Sequence, residues 1–234
     1  MSLAGFENQV AGHLLSNISV LLIDTVSIIV LIGLIACTHV FRKRGRLSDR
    51  LFFVMVIMDI VLAVSDIVFD LFAGFGMENA RIIGSFFYSI ATFGSYLIAA
   101  FAILFLLCLL PEGEKVLKKW YKLCFIPVIY ILIVLIMNAF DVLVFTVTEE
   151  WIYLYGPYFQ LIMPGLALYA VVAVLIIWRI NKPGIILLLL IVYNVLSTEG
   201  LYFDISFMVI SFTAILVYLL VEDMNRNFHG EAQV

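Results

Sequence analysis

The sequence predicts an all-α integral membrane protein: a bundle of seven transmembrane helices with the N-terminus outside and the C-terminus in the cytoplasm. Three observations predict it. Of 234 residues, 65% are hydrophobic and 13% charged, roughly half the charge of a soluble chain, and the mean hydropathy is +1.18. The apolar residues form continuous runs, not the alternating segments of about ten residues that build a barrel. Twelve of the 13 Lys and Arg residues fall into alternate loops between those runs or into the C-terminal tail. So few charges cannot clothe a water-soluble surface, which excludes multidomain soluble enzymes, nucleic-acid binders and disordered chains.

A helix needs about 20 mostly apolar residues to cross a hydrocarbon core of about 30 Å. Seven stretches are expected to do so: 15–40, 51–73, 82–110, 123–145, 158–178, 185–196 and 202–221. The sixth is short, and the seventh is interrupted near its start by Asp204. Residues 1–14 read as an external segment, 15–222 as the transmembrane domain and 223–234 as a cytoplasmic tail able to begin a signalling helix. The first apolar run is too long for a signal-peptide core, so it reads as an uncleaved anchor.

Orientation follows from the cations. Arg42, Lys43, Arg44, Arg46 and Arg50 occupy the first loop, and Lys115, Lys118, Lys119 and Lys122 the third. Arg179 and Lys182 occupy the fifth, Arg226 the tail, and Arg81 alone lies opposite. Cationic loops stay in the cytoplasm, which makes this a multi-pass protein of the cell membrane. Twelve cations against six acids leave the inner side at +6; eleven acids against Arg81 leave the membrane and outer portions at −10. An outward cavity with that field favours cationic or polar neutral small molecules over anions.

Catalytic and metal chemistry find little support. Cys37, Cys108 and Cys124 read as apolar packing residues, and His13, His39 and His229 are scattered without ligand spacing. There is no Ser–His or Cys–His set and no Gly-rich phosphate loop, so neither an enzyme nor a cofactor is expected within these residues.

The chemistry-bearing residues are instead polar groups inside helices, where a carboxylate costs about 2.5–3.5 kcal/mol on insertion scales. Asp59, Asp66 and Asp70 of the second segment fall within about 40° of one another, one acidic stripe. Asp24 lies in the first segment. The third carries the hydroxyls of Ser85, Ser89, Thr92 and Ser95 with Tyr88 and Tyr96 beside them, and Arg81 opens it. Asp141, Tyr202 and Asp204 complete the outer half, with an aromatic rim at Trp151, Tyr153, Tyr155 and Tyr158. The expected ligand-binding set is therefore Asp24, Asp66, Asp70, Arg81, Ser85, Tyr88, Ser89, Thr92, Tyr96, Asp141, Tyr202 and Asp204. The alternative is that the same groups are hydrogen-bonding glue between helices, worth about 0.6 kcal/mol each.

The last predicted helix has no Lys for a retinal Schiff base, and the third ends Leu109-Leu110-Pro111-Glu112 in place of an acidic-Arg-aromatic triplet. Other motifs are more telling: Leu51-Phe52 and Asp59-Ile60, Ile126-Pro127, Asn138-Ala139-Phe140-Asp141, Tyr155-Gly156-Pro157-Tyr158, Pro164, Arg179, and the exit Tyr218 to Asn225. Over residues 15–226 the chain resembles the N-terminal seven-transmembrane sensor region of bacterial membrane signalling proteins of the GGDEF diguanylate cyclase and histidine kinase type. The resemblance implies a receptor that detects an external ligand, relays the change through helix seven to a cytoplasmic output domain, and works as a homodimer. No GGDEF motif or phosphoacceptor His lies within these 234 residues, so a cyclase or kinase activity would reside in the rest of a longer protein. The competing expectation is a small cation- or proton-coupled transporter or channel built on the acidic stripe.

Overall fold

The computed structural model describes residues 21–22, 24–36, 47–74, 79–108, 110, 113–141, 143–148 and 153–180. Within them lie six α-helices, α1 (Asp24–Ala36), α2 (Leu47–Gly74), α3 (Ala80–Cys108), α4 (Gly113–Cys124), α5 (Ile126–Phe140) and α6 (Met163–Ile180), and two short strands, β1 (Phe145–Val147) and β2 (Tyr153–Tyr155). Four helical stretches are long and apolar enough to cross a membrane: Arg50–Phe72, Arg81–Cys108, Lys115–Phe140 and Phe159–Ile176. They correspond to the second to fifth predicted segments. The shorter apolar α1 lies inside the first. The sixth and seventh segments, with Tyr202 and Asp204, fall outside the described residues.

In α1, Asp24, Ser27, Leu31 and Leu34 are buried, a stripe at spacings of three and four that turns one helical face inward. Leu22, Val26, Ile29 and Ile32 face out, as suits a helix whose far side meets hydrocarbon. In α2 the buried stripe runs through Phe52, Met55, Asp59, Leu62, Asp66 and Phe69, again at helical spacing. Its 28 residues span about 42 Å.

The α2–α3 register is antiparallel. Phe52 meets Phe105 at 6.1 Å between ring centres, Phe69 meets Tyr88 edge-on at 5.2 Å, and Phe72 meets Phe87 at 6.0 Å. Between these pairs Leu62 lies so close over Gly94 that a Cβ there would sit 2.6 Å from Leu Cδ2. Helix α3 is the centre of the described fold. It packs against α2, α4, α5, α6 and β1, and near its C-terminal end Ile103 to Leu107 are all buried. It starts after Asn79, whose φ of 66° is the left-handed conformation that Asn tolerates. It stops before Pro111, which has no N–H to continue the ladder.

Two differences from the sequence expectation concern the fourth segment. The lysine-rich stretch before it is the amphipathic helix α4 and not a loop. The break between α4 and α5 falls at Phe125, with Pro127 seated in the first turn of α5, where its missing N–H costs nothing. The second difference is at the other end: the helix stops at Phe140, and Asp141 and residues 143–145 do not continue it. Asp141 caps it in extended conformation, and the amide of Asn138 seizes the backbone that follows. Its Oδ1 accepts from the N–H groups of Leu143, Val144 and Phe145 at 3.1, 2.7 and 3.2 Å, and its Nδ2 donates to the Phe145 carbonyl at 3.0 Å. One buried side chain thus satisfies a turn that no helix or strand could.

The fold is also not purely α. Strands β1 and β2 pair antiparallel with Phe145 opposite Tyr155 and Val147 opposite Tyr153. The hairpin is tied back by Gly156 N–H to Val144 O at 2.7 Å and Tyr158 N–H to Leu143 O at 2.8 Å. It leads into a 3₁₀ turn, Phe159–Ile162, and then α6, with Pro164 in its first turn.

Three tyrosines bind the irregular pieces together. Tyr96 of α3 donates to Ile162 O, Tyr130 of α5 to Leu161 O at 3.0 Å, and Tyr169 of α6 to Cys124 O at 2.6 Å. Backbone carbonyls released at the 3₁₀ turn and the α4–α5 break are thereby paired inside the protein, as a hydrocarbon surrounding requires. Tyr96 lies against Gly165, where any Cβ would collide with its ring.

Candidate functional site

The structure divides the ten sequence-predicted residues that it describes into groups on different faces of α3. Successive residues turn by about 100°, so Arg81, Ser85 and Ser89 lie side by side on a face that α2 does not cover. Opposite them stands the C-terminal end of α5. Between the two helices runs an open groove of about 510 Å³ lined by Arg81, Ser85, Phe86, Ser89, Phe93, Leu132, Ile136, Asn138 and Asp141, with Phe145 and Thr146 of β1 as its end wall. That volume is in the range of small-molecule pockets. Arg81 and Asp141 are exposed at its mouth, Ser85 and Ser89 lie one and two turns in, and apart from Asn138 and Thr146 the rest is apolar.

Each of these positions has a local cause. Arg81 is in the first turn of α3, set by the Asn79 entry. Asp141 is the C-cap of α5, and its backbone N–H bonds to Met137 O at 3.1 Å. The Asn138 knot fixes where α5 ends and therefore where Asp141 stands. The hydroxyl proton of Ser89 goes to Ser85 O at 2.7 Å, leaving its oxygen as an acceptor toward the groove.

A second group lies on the other side of α3. Asp24 and Asp59 are fully buried and Asp66 is 4% exposed. Ile28, one turn from Asp24, packs with Leu62, Ala63, Ala91 and Ile98, which brings α1 to the α2–α3 seam at this depth. Ser27, Ser65, Thr92 and Ser95 are buried in the same three helices. Thr92 donates to Tyr88 O, Ser95 to Ala91 O and Ser65 to Val61 O, at 2.7–2.8 Å. The hydroxyl protons are thus spent on each helix's own backbone. Asp24, Asp59, Asp66 and Asp70 all take part in further interactions within the fold.

The remaining residues are structural in placement. Tyr88 stacks between Phe69 and Phe145, whose ring centres lie 5.2 and 6.1 Å away. Tyr96 is completely buried against Tyr169 and Gly165. Asn138, outside the predicted set, is the residue on which the groove's geometry depends. Its signal in the sequence was an amide just before a helix-ending Asp and a β-branched stretch. Among the described residues no group of three His, Cys, Asp or Glu side chains is placed to hold a metal ion. Comparison with protein-family models, with curated proteins and with solved structures finds no match to this chain.

Proposed function

We propose that the chain is a multi-pass membrane receptor whose external ligand binds in the α3–α5 groove. The observation that carries this is the convergence of Arg81, Ser85, Ser89 and Asp141 on one cavity at the end of α3 opposite the lysine-rich α4. Under the seven-segment topology with the N-terminus outside, the groove opens outward and α4 faces the cytoplasm. Its lining suits a small amine or polar neutral molecule with an apolar body: Asp141 takes a cation, the serine oxygens accept hydrogen bonds, and Phe86, Phe93 and Leu132 cover carbon.

A ligand shifts a bundle only by preferring one arrangement to another. Helix α3 suits this role because it packs against α2, α4, α5, α6 and β1, and the Tyr96–Ile162 bond couples it to the turn that leads into α6. The change then passes through the last apolar segment, 202–221, to a cytoplasmic output domain, with the protein acting as a homodimer. The test is a fusion of the full chain to a dimerisation-dependent reporter, challenged with a panel of amines, amino acids and sugars. The proposal expects one class to change output, and Asp141→Asn or Ser85→Ala to shift its dose response tenfold or more. Panel-wide silence together with saturable substrate uptake into proteoliposomes contradicts it.

That uptake result belongs to the second reading, a cation- or proton-coupled transporter. Three carboxyls at most 4% exposed, amid buried hydroxyls, favour it, since intramembrane acids are costly and mark proton and ion paths. Asp59→Asn abolishing coupled uptake would establish it.

A further inference from the structure

Helix α4 combines two features that the receptor reading does not use. Between Lys115 and Cys124 it carries no Asp or Glu, and Lys118, Lys119 and Lys122 are exposed within about 100° of arc. The ammonium of Lys119 lies 5.6 Å from the Trp120 ring centre and that of Lys122 lies 5.9 Å from the Tyr121 ring centre. Aromatic faces beside cations are the arrangement found where polypeptide meets the bilayer interface.

The neighbouring flank of the same helix, where Leu123 lies one turn after Lys119, is apolar. Val116, Trp120, Leu123 and Cys124 form one wall of a cavity of about 420 Å³, completed by Leu107 of α3 and Leu168 of α6 among others, with no charged residue in its lining. The one hydroxyl there, on Tyr169, is committed to Cys124 O. Leu168 and Leu175, on its far wall, are more than half exposed, so the cavity opens along the apolar flank of the bundle. A basic strip and a hydrocarbon-lined cavity therefore adjoin on twelve residues of helix.

We propose that α4 and the cavity behind it form a binding site for an anionic glycerophospholipid, the phosphate on Lys118, Lys119 and Lys122 and an acyl chain between α3, α4 and α6. A soluble polyanion would use the lysines and leave the cavity empty; a neutral lipid would fill the cavity and leave the lysines unmatched. Only a molecule with both parts satisfies both faces. The site is independent of the groove at the other end of α3, and stands or falls separately from the receptor reading.

The test uses the full chain in phosphatidylcholine vesicles doped with a photoactivatable phosphatidylglycerol or with the matching phosphatidylcholine probe, and maps the labelled residues. The expected result is saturable phosphatidylglycerol labelling of Leu107, Val116 and Leu168, at least tenfold above the neutral probe and weakened by high salt. Removing three interfacial lysines, as Lys118→Gln, Lys119→Gln and Lys122→Gln together, is expected to weaken apparent affinity on the order of a hundredfold. Equal labelling by the two probes, or labelling indifferent to salt, overturns the site and indicates ordinary surrounding lipid. Displacement of the lipid by soluble glycerol phosphate overturns the acyl-chain contact. Should the triple variant fail to fold, the headgroup and salt comparisons on the unaltered chain decide the matter.

Discussion

Asn138 offers the sharpest test of how the groove is built. Its amide accepts from three backbone N–H groups and donates to one carbonyl, and the side chain is buried. Truncation to Ala strands the N–H of Val144, whose 2.7 Å bond is the best of the set, together with the N–H and carbonyl of Phe145. Val144 and Phe145 are themselves buried, so water cannot replace the amide there; Leu143, half-buried, can recover a water. Each orphaned buried group costs about 1–3 kcal/mol. Counting the 3.2 Å bond to Phe145 N–H as weak, the sum is about 3–5 kcal/mol. Asn138→Leu separates lost hydrogen bonding from a lost side chain, because Leu keeps the branched skeleton of Asn and bonds to nothing. Reversible unfolding in mixed micelles measures the loss, and amide exchange at residues 143–145 locates it. The account predicts that both variants lose several kcal/mol and that exchange quickens at Val144. A Leu variant within 1 kcal/mol of the parent would show that the amide merely fills space, and the argument for the end of α5 would fail.

Other expectations follow from the same contacts. Gly165→Ala drives a Cβ into the Tyr96 ring and is expected to destabilise by about 1–3 kcal/mol, while Tyr96→Phe strands the Ile162 carbonyl for about 1–2 kcal/mol; thermal unfolding of the pair and their double variant should be non-additive, since the residues touch. Gly94→Leu forces Leu62 away from α3 and should loosen the α2–α3 seam. A disulfide-trapping rate between cysteines placed at Phe52 and Phe105 would fall against the parent.

Much of the helical layout was legible because hydrocarbon thickness imposes a length on apolar runs. The same rule hid what departs from it. Val142 to Phe145 continue the hydropathy of α5, so the segment read through to residue 145, although chain direction there is set by the Asn138 hydrogen bonds. Helix α4 read as a loop because its lysines were counted as topology signals, while the spacing of Val116, Trp120 and Leu123 already carried a helical period. The hairpin was present as the alternation around Phe145-Thr146-Val147 and Tyr153-Leu154-Tyr155, short enough to be masked by neighbouring helices.

For the site, angular arithmetic placed Asp59, Asp66 and Asp70 on one face of α2, where Asp59 and Asp66 are buried and Asp70 is half-buried. It could not say what each face of α3 meets. Ser85 and Ser89 look toward α5 and line a groove with Arg81 and Asp141, whereas Thr92 and Ser95 are buried and bonded to their own helix. A single cleft holding all of them was a natural reading of one helix's hydroxyls; partners from three different helices divide it.

The most direct measurement is substituted-cysteine labelling in intact cells. With Cys37, Cys108 and Cys124 replaced by Ala, single cysteines at Arg81, Ser85, Asp141, Lys118 and Lys122 are exposed to a membrane-impermeant maleimide. The account predicts labelling of positions 81, 85 and 141 from outside, and of 118 and 122 only after permeabilisation. External labelling of 118 or 122, or groove positions reachable only from the cytoplasm, would contradict an outward-opening receptor groove.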